Sequence, residues 1–215
     1  MEEYITIKEN AESEIAEKKS KFIGNLIKIE SQEDAEIKIK ELKKKYYDAR
    51  HNCIAYRVVD LENDKIIEKS SDDGEPSGTA GGPMLHILQT NNLCNVLIVV
   101  TRYFGGILLG TGGLVRAYSD ATILAIENAE KVEKVKGREG IVKLEYGQFK
   151  NFKYYCKKNQ IVIENIEYSD EIVCKIIMGE HKKDKLLEDF QTKKILLKDV
   201  DVLSKKFIEK SKWKK

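Results

Sequence analysis

Glycines gather where a chain must turn sharply or let something approach its backbone, since each one gives up extra conformational entropy on folding. Nine of the 14 glycines in this 215-residue chain fall in two segments. The first is SDDGEPSGTAGGP, Ser71 to Pro83, and the second is TRYFGGILLGTGGLVRAY, Thr101 to Tyr118. Just before the second, Asn95 to Val100 is a β-branched run typical of a strand buried on both faces of a sheet. The same two segments carry a compact acidic group, two arginines and an aromatic pair. They read as a site built around a buried strand.

Composition narrows the class of protein. At 41% hydrophobic and 34% charged residues, the chain suits a globular protein with a real core, as one large domain or two small ones. Its longest apolar run, Val96 to Val100, is far too short to span a bilayer. The opening MEEYITIKEN has no basic segment followed by an apolar stretch, so no secretory signal is expected. Cys53, Cys94, Cys156 and Cys174 are scattered, without a C-x-x-C pair, and read as reduced, buried thiols of a cytoplasmic protein. With His51, His86 and His181 the only histidines, no zinc cage is expected, and nothing calls for a cofactor.

The net charge of +2 is uneven. Residues 1–135 hold 18 Lys and Arg against 23 Asp and Glu, whereas residues 136–215 hold 20 against 13. A basic second half invites a nucleic-acid reading. Six lysines against Glu209 in the last eleven residues account for much of that excess, and such a tail can simply be disordered.

Periodicity gives a coarse map. Strands are expected at Tyr4–Ile7, Lys21–Ile29, Cys53–Val59, Ile66–Ile67 and Asn95–Val100, with a helix over 32–46 from the spacing of Ala35, Ile39, Leu42 and Tyr46. A second helix starts near Pro83, capped by Thr79 or Gly82, and a long third one runs from Gly112 to about Val132. Beyond Lys136-Gly137 the pattern becomes strand, helix, strand, strand, helix, strand, from Ile141 to Leu203. This βαββαβ order is the ferredoxin-like plan, with Ser169-Asp170 as the turn of a hairpin. The expected divisions are 1–135, 136–204 and a basic tail at 205–215.

Each candidate group has a plain structural alternative. Asp72, Asp73 and Glu75 could hold a hard divalent cation, but Asp before Gly commonly closes turns and caps the following helix. Structural capping is preferred, and no metal site is expected. Gly105, Gly106, Gly110, Gly112 and Gly113 form a loop from a buried strand into a helix, where free N–H groups attract anions. Arg102 leaves the strand before this loop and Arg116 is placed in the first turn of the helix, where a cation needs a partner. That partner is either the acidic group or an external phosphate. The loop lacks the Lys-Ser or Lys-Thr of the Walker pattern. Tyr103 and Phe104 could stack unpaired bases, although aromatics beside a buried strand usually join the core. His51, beside Arg50, has no Ser or Cys in a nucleophile motif near it, so a packed or capping role comes first.

At these residues the chain closely resembles the IMPACT/YigZ family. The resemblance rests on KSKFIG (Lys19 to Gly24), DARHNCIAYR (Asp48 to Arg57), SDDGEPSGTAGGPML (Ser71 to Leu85) and VVTRYFGGILLGTGGLVRAYSDA (Val99 to Ala121). Asn52 stands where some relatives carry a second histidine. The resemblance implies an α+β fold, with an N-terminal domain like the second domain of a small-subunit ribosomal protein. It also implies a C-terminal ferredoxin-like domain akin to the last domain of the translocating elongation factor. Eukaryotic members are associated with translational control through a stress-responsive kinase and its activator.

The resulting expectation is a cytoplasmic, non-catalytic protein that binds RNA or a ribosome-associated partner and bears on translation. Arg102 and Arg116 would contact phosphate or an acidic surface, oriented by Asp72, Asp73 and Glu75. The alternatives are an enzyme that uses the glycine loop as its anion site and a protein–protein regulator without RNA.

Overall fold

The computed structural model describes residues 2–213. They divide into two compact units, one of residues 4–132 and one of residues 133–215 together with 1–3.

The chain enters the first unit through β1 (Glu3–Ile7), whose Ile5 makes a parallel bridge to Leu93. The body is an antiparallel sheet built from β2 (Ala11–Glu17), β3 (Ser20–Lys28), β4 (His51–Asp60), β5 (Lys65–Ser71) and β6 (Val96–Tyr103). Their order across the sheet is β2-β3-β6-β4-β5, which puts the β-branched run of β6 at the centre. Helix α1 (Gln32–Lys45) covers one face. Its Ala35, Ile39 and Leu42 are the buried side, as their spacing demanded, and meet Leu97 and Val99 of β6. Ser31 accepts the Asp34 amide, while Glu33 and Asp34 at one end and Lys43, Lys44 and Lys45 at the other suit the helix dipole. The opposite face carries α2 (Gly81–Thr90) and α3 (Gly110–Glu127), whose Met84, Leu88, Leu114, Tyr118, Ala121 and Ala125 pack on Val96, Ile98 and Val100. Both faces of β6 are therefore buried.

The sequence did not announce β2. Its AESEIAE is rich in helix-forming Glu and Ala, yet it pairs with β3 as an edge strand. Ser13 fixes its place by donating to the Ala121 carbonyl at 2.7 Å.

The third helix also departs from expectation. It ends at Glu127 instead of near Val132, because Lys131 onward alternates with period two and joins β7 (Lys131–Leu144). The expected boundary at Lys136-Gly137 therefore lies inside a continuous strand. A cut after residue 135 would divide β7.

The second unit has α4 (Phe149–Lys158), β8 (Val162–Tyr168), β9 (Ile172–Gly179), α5 (Lys183–Gln191) and β10 (Asp199–Glu209) after β7. The βαββαβ order is present, with β7 between β9 and β10 and with β8 outside β9. Phe152, Cys156 and Leu186 from the helices pack on Val142, Cys174, Ile176 and Met178 of the sheet. The last strand runs four residues later at its start, and further at its end, than Ile195–Leu203. A register shift between Val202 and Lys205 lets it continue to Glu209 opposite Lys134. The expected basic tail thus begins within a paired strand, where Lys206 bonds Glu139 and Phe207 and Ile208 are buried. Lys214 and Lys215 lie outside the described residues. Among the described residues, no helix is long and apolar enough to cross a membrane.

Candidate functional site

The two glycine segments come together at one end of the first unit's sheet, and they do different work there. Asp72 stitches the first. Its carboxylate accepts the Gly78, Ala80 and Gly81 amides at 2.8, 3.0 and 2.8 Å, which closes the turn and serves the start of α2. Neither expected cap, Thr79 nor Gly82, does this. Thr79 instead donates its hydroxyl to the Pro76 carbonyl. Burial alone would raise the Asp72 carboxyl, but the three amides overcome it and hold the group below the usual carboxylate range.

Asp73 sits at φ +44 and works on the sheet. One carboxylate oxygen accepts the Asn52 amide at 2.8 Å and the other pairs with Lys43 at 2.6 Å. Its carbonyl accepts a bond from His51 Nδ1 at 2.9 Å. A carbonyl can only accept, so Nδ1 carries the proton and Nε2 is the atom left for other work. Asn52, buried, takes the Thr101 hydroxyl at 2.7 Å.

Glu75 turns inward. Its Oε1 accepts from Arg102 Nη1 and from the Tyr118 hydroxyl, both at 2.8 Å, and lies 4.0 Å from His51 Nε2. Burial pushes the Tyr118 phenol upward, so it stays a hydrogen-bond donor. The Cys53 thiol beneath is pushed up to about 12 by burial and donates to the Asp72 carbonyl, which makes it a poor nucleophile. The three carboxylates therefore face three different sets of protein partners. Among the described residues, no group of three His, Cys, Asp or Glu side chains is placed to hold a metal ion.

The arginines part company. Arg102 is only 6% exposed, paired with Glu75 and held between the Phe22 and Phe104 rings, its guanidinium carbon 5.5 Å from each centroid. Its Nε has no hydrogen-bond partner. Arg116 is exposed, and none of the acidic trio reaches it. Because α3 starts at Gly110 and not Gly112, Arg116 falls in the second turn, away from the helix terminus. The acidic group orients one arginine, not two.

The second segment is open where the first is closed. Tyr103 is half-buried and donates to Asp48, whereas Phe104 is 44% exposed and Leu108 is 83% exposed. Gly105 passes so close to Lys19 that no Cβ would fit, and its amide donates to the Ser20 hydroxyl. Gly106 and Gly110 take φ +86 and +75. A Cβ at Gly106, Gly110 or Gly112 would meet nothing within 4 Å, while at Gly113 it would touch Leu109. Leu109, at the N-cap of α3, supplies no side-chain cap to the helix.

These parts enclose a cleft of about 380 Å³. Glu75, Arg102 and His51 line it together with Arg50, Phe104, Leu108, Gly110 and Thr111. Arg50 and Ser20 were not singled out from the sequence. Their position inside the DARHNCIAYR and KSKFIG stretches was the available signal.

A protein of two α+β units, one carrying a cleft at a glycine-rich strand-to-helix turn, is the class that fold and site define. Residues 18–126 match the model of the Impact N-terminal domain, and the chain belongs to the IMPACT family. It is 40% identical over 169 residues to IMPACT family member YvyE of Bacillus subtilis, covering 79% of this chain and 76% of that protein. It is 35% identical over 165 residues to IMPACT family member YigZ of Escherichia coli, covering 77% and 80%. A crystal structure described as that of a hypothetical protein matches 95% of this chain and 98% of its own, with a TM-score of 0.60 and 29% identity.

Proposed function

We propose that this chain is a non-catalytic protein that binds RNA or a ribosome-associated partner and acts on translation in the cytoplasm. The observation that carries the reading is the cleft itself. It joins the cation Arg50, the His51 ring and the exposed aromatic Phe104 beside a helix start without a side-chain cap, with no activated nucleophile among them. Arg116 is a second exposed cation, on the helix that begins at the cleft. Family membership supports the link to translation, and four free, buried cysteines fit a reducing compartment. The likeness of the two units to a ribosomal-protein domain and to the last domain of the translocating elongation factor belongs to the same proposal.

The geometry changes how the reading is tested. Arg102→Ala would strand Glu75 in the interior, so loss of binding there would report on folding. Arg50 and Arg116 are exposed and make the clean pair. Cosedimentation with ribosomal subunits, across a salt series, should show the Arg50→Ala, Arg116→Ala chain binding about tenfold more weakly than the native one and with a shallower salt slope. Equal binding by both would sink the reading. A second reading, a protein–protein regulator, rests on the exposed Phe104, Ile107 and Leu108, an apolar trio that a partner could cover. Binding that survives ribonuclease and is lost in Phe104→Ser, Leu108→Ser would favour it.

A further inference from the structure

We infer that the cleft recognises a phosphate monoester carried on a nucleoside, seated at the start of α3. The inference rests on the RNA reading above and gives it a chemistry. A monoester brings about −1.5 to −2 charges and three acceptor oxygens. The cleft offers matching donors from the Arg50 guanidinium and the amides at the Gly110–Thr111 helix start, with the His51 ring beside them as an acceptor. Side-chain capping does not satisfy those amides, since Leu109 has no side chain able to do so.

His51 suits a monoester in particular. Its Nδ1–H is committed to the Asp73 carbonyl, which leaves the Nε2 lone pair, 4.0 Å from Glu75 Oε1, as the ring's acceptor. It accepts from the P–OH of a monoester monoanion. A phosphodiester has no such proton and only two unesterified oxygens. Arg102 is a second pointer, independent of the helix terminus. It lines the cleft at 6% exposure with its Nε unpartnered, while its charge is met by Glu75, the one carboxylate that also lines the cleft. The nucleoside part is indicated by Phe104, whose exposed ring borders the same space and offers a stacking face. A volume of about 380 Å³ sits at the lower end of small-molecule sites, the scale of a single terminal unit instead of a strand threading through.

The ligand chemistry is shared by a free nucleotide and by the phosphorylated end of an RNA, so the test has an arm for each. Fluorescence anisotropy on the full chain would compare a short single-stranded RNA with a 5′-phosphate, the same RNA with a 5′-hydroxyl, and the 5′-phosphate RNA competed by adenosine 5′-monophosphate. The phosphorylated RNA should bind about tenfold more tightly than the hydroxyl form. Arg50→Ala, an exposed residue whose loss should leave the fold intact, should erase that preference. Lys158→Ala, Lys193→Ala, in a separate lysine-lined cavity of the second unit, should leave the preference in place. Competition by the mononucleotide at comparable concentration would assign the site to free nucleotides, and its failure would assign it to RNA ends. Both outcomes keep the monoester. Equal binding of phosphorylated and hydroxyl RNA would overturn the monoester site while leaving RNA binding standing. No binding of any RNA, with no effect of the mononucleotide on the melting temperature, would overturn both.

Discussion

The two glycine-rich segments look alike in sequence and are opposites in structure. In Ser71–Pro83 the backbone is tied down: Asp72 accepts three amides, Glu75 anchors a buried arginine, and a Cβ on Gly81 would sit 2.7–2.9 Å from the Ser71 backbone. In Thr101–Tyr118 the chain escapes that close contact after Gly105, and Gly106, Gly110 and Gly112 face open space. The turn tied by Asp72 and Gly81 is scaffold, and the loop from Gly106 to Leu108 is surface. Glycine density alone does not separate the two, because close packing and close approach of a ligand place the same demand on a backbone.

The largest effect expected from breaking this contrast is at Glu75. Glu75→Ala leaves Arg102 buried and uncompensated, and should cost about 3–5 kcal/mol in denaturant unfolding. A loss below 1 kcal/mol would show that water reaches the pair and that the scaffold description is wrong. Next comes Asp72→Ala, with a cost of about 2 kcal/mol from three lost charge-assisted hydrogen bonds. The folded carboxyl is depressed, so its stabilisation is fully present above the ordinary value of 3.8 and fades as pH falls through the lower folded value. Acid unfolding of the native chain should therefore be steeper below pH 3.8 than that of Asp72→Ala. Identical acid profiles would remove the special role of this carboxylate.

Smaller effects sharpen the comparison. Gly81→Ala should destabilise by about 1–3 kcal/mol because backbone atoms cannot yield. Gly112→Ala, inside α3 with room for a methyl, should instead stabilise by about 0.5–1 kcal/mol. Thermal denaturation of the two variants side by side reads the difference, and a shared sign would erase it.

Much of the fold was legible. The spacing of Ala35, Ile39 and Leu42 gave α1, and the β-branched run gave the central strand. Alternation around Ser169-Asp170 located the β8–β9 hairpin. What failed has a common physical cause: local pattern cannot see pairing partners. β2 is held by β3 and by Ser13, not by strand-like composition. Residues 205–209 looked like a solvated lysine tail, but β7 supplies an edge that draws them into the sheet. At the site, the sequence favoured capping for the acidic group, which Asp72 performs. It could not tell that Arg102 points inward and Arg116 does not answer to the acidic trio. That depends on a two-residue difference in helix start and on Glu75 lying beneath the sheet's end, neither of which leaves a local trace.

The opening residues of the chain carry a consequence of their own. Glu2 and Glu3 belong with residues 133–215: the Lys136 amide donates to the Glu2 carbonyl at 2.8 Å, and Lys210 pairs with Glu3 at 3.3 Å. During synthesis these residues emerge before residues 4–132, yet their partners emerge after them. They must wait through the making of the entire first unit, and closing so long a loop costs entropy when the partners arrive. The latch is therefore set only after the first unit has been made.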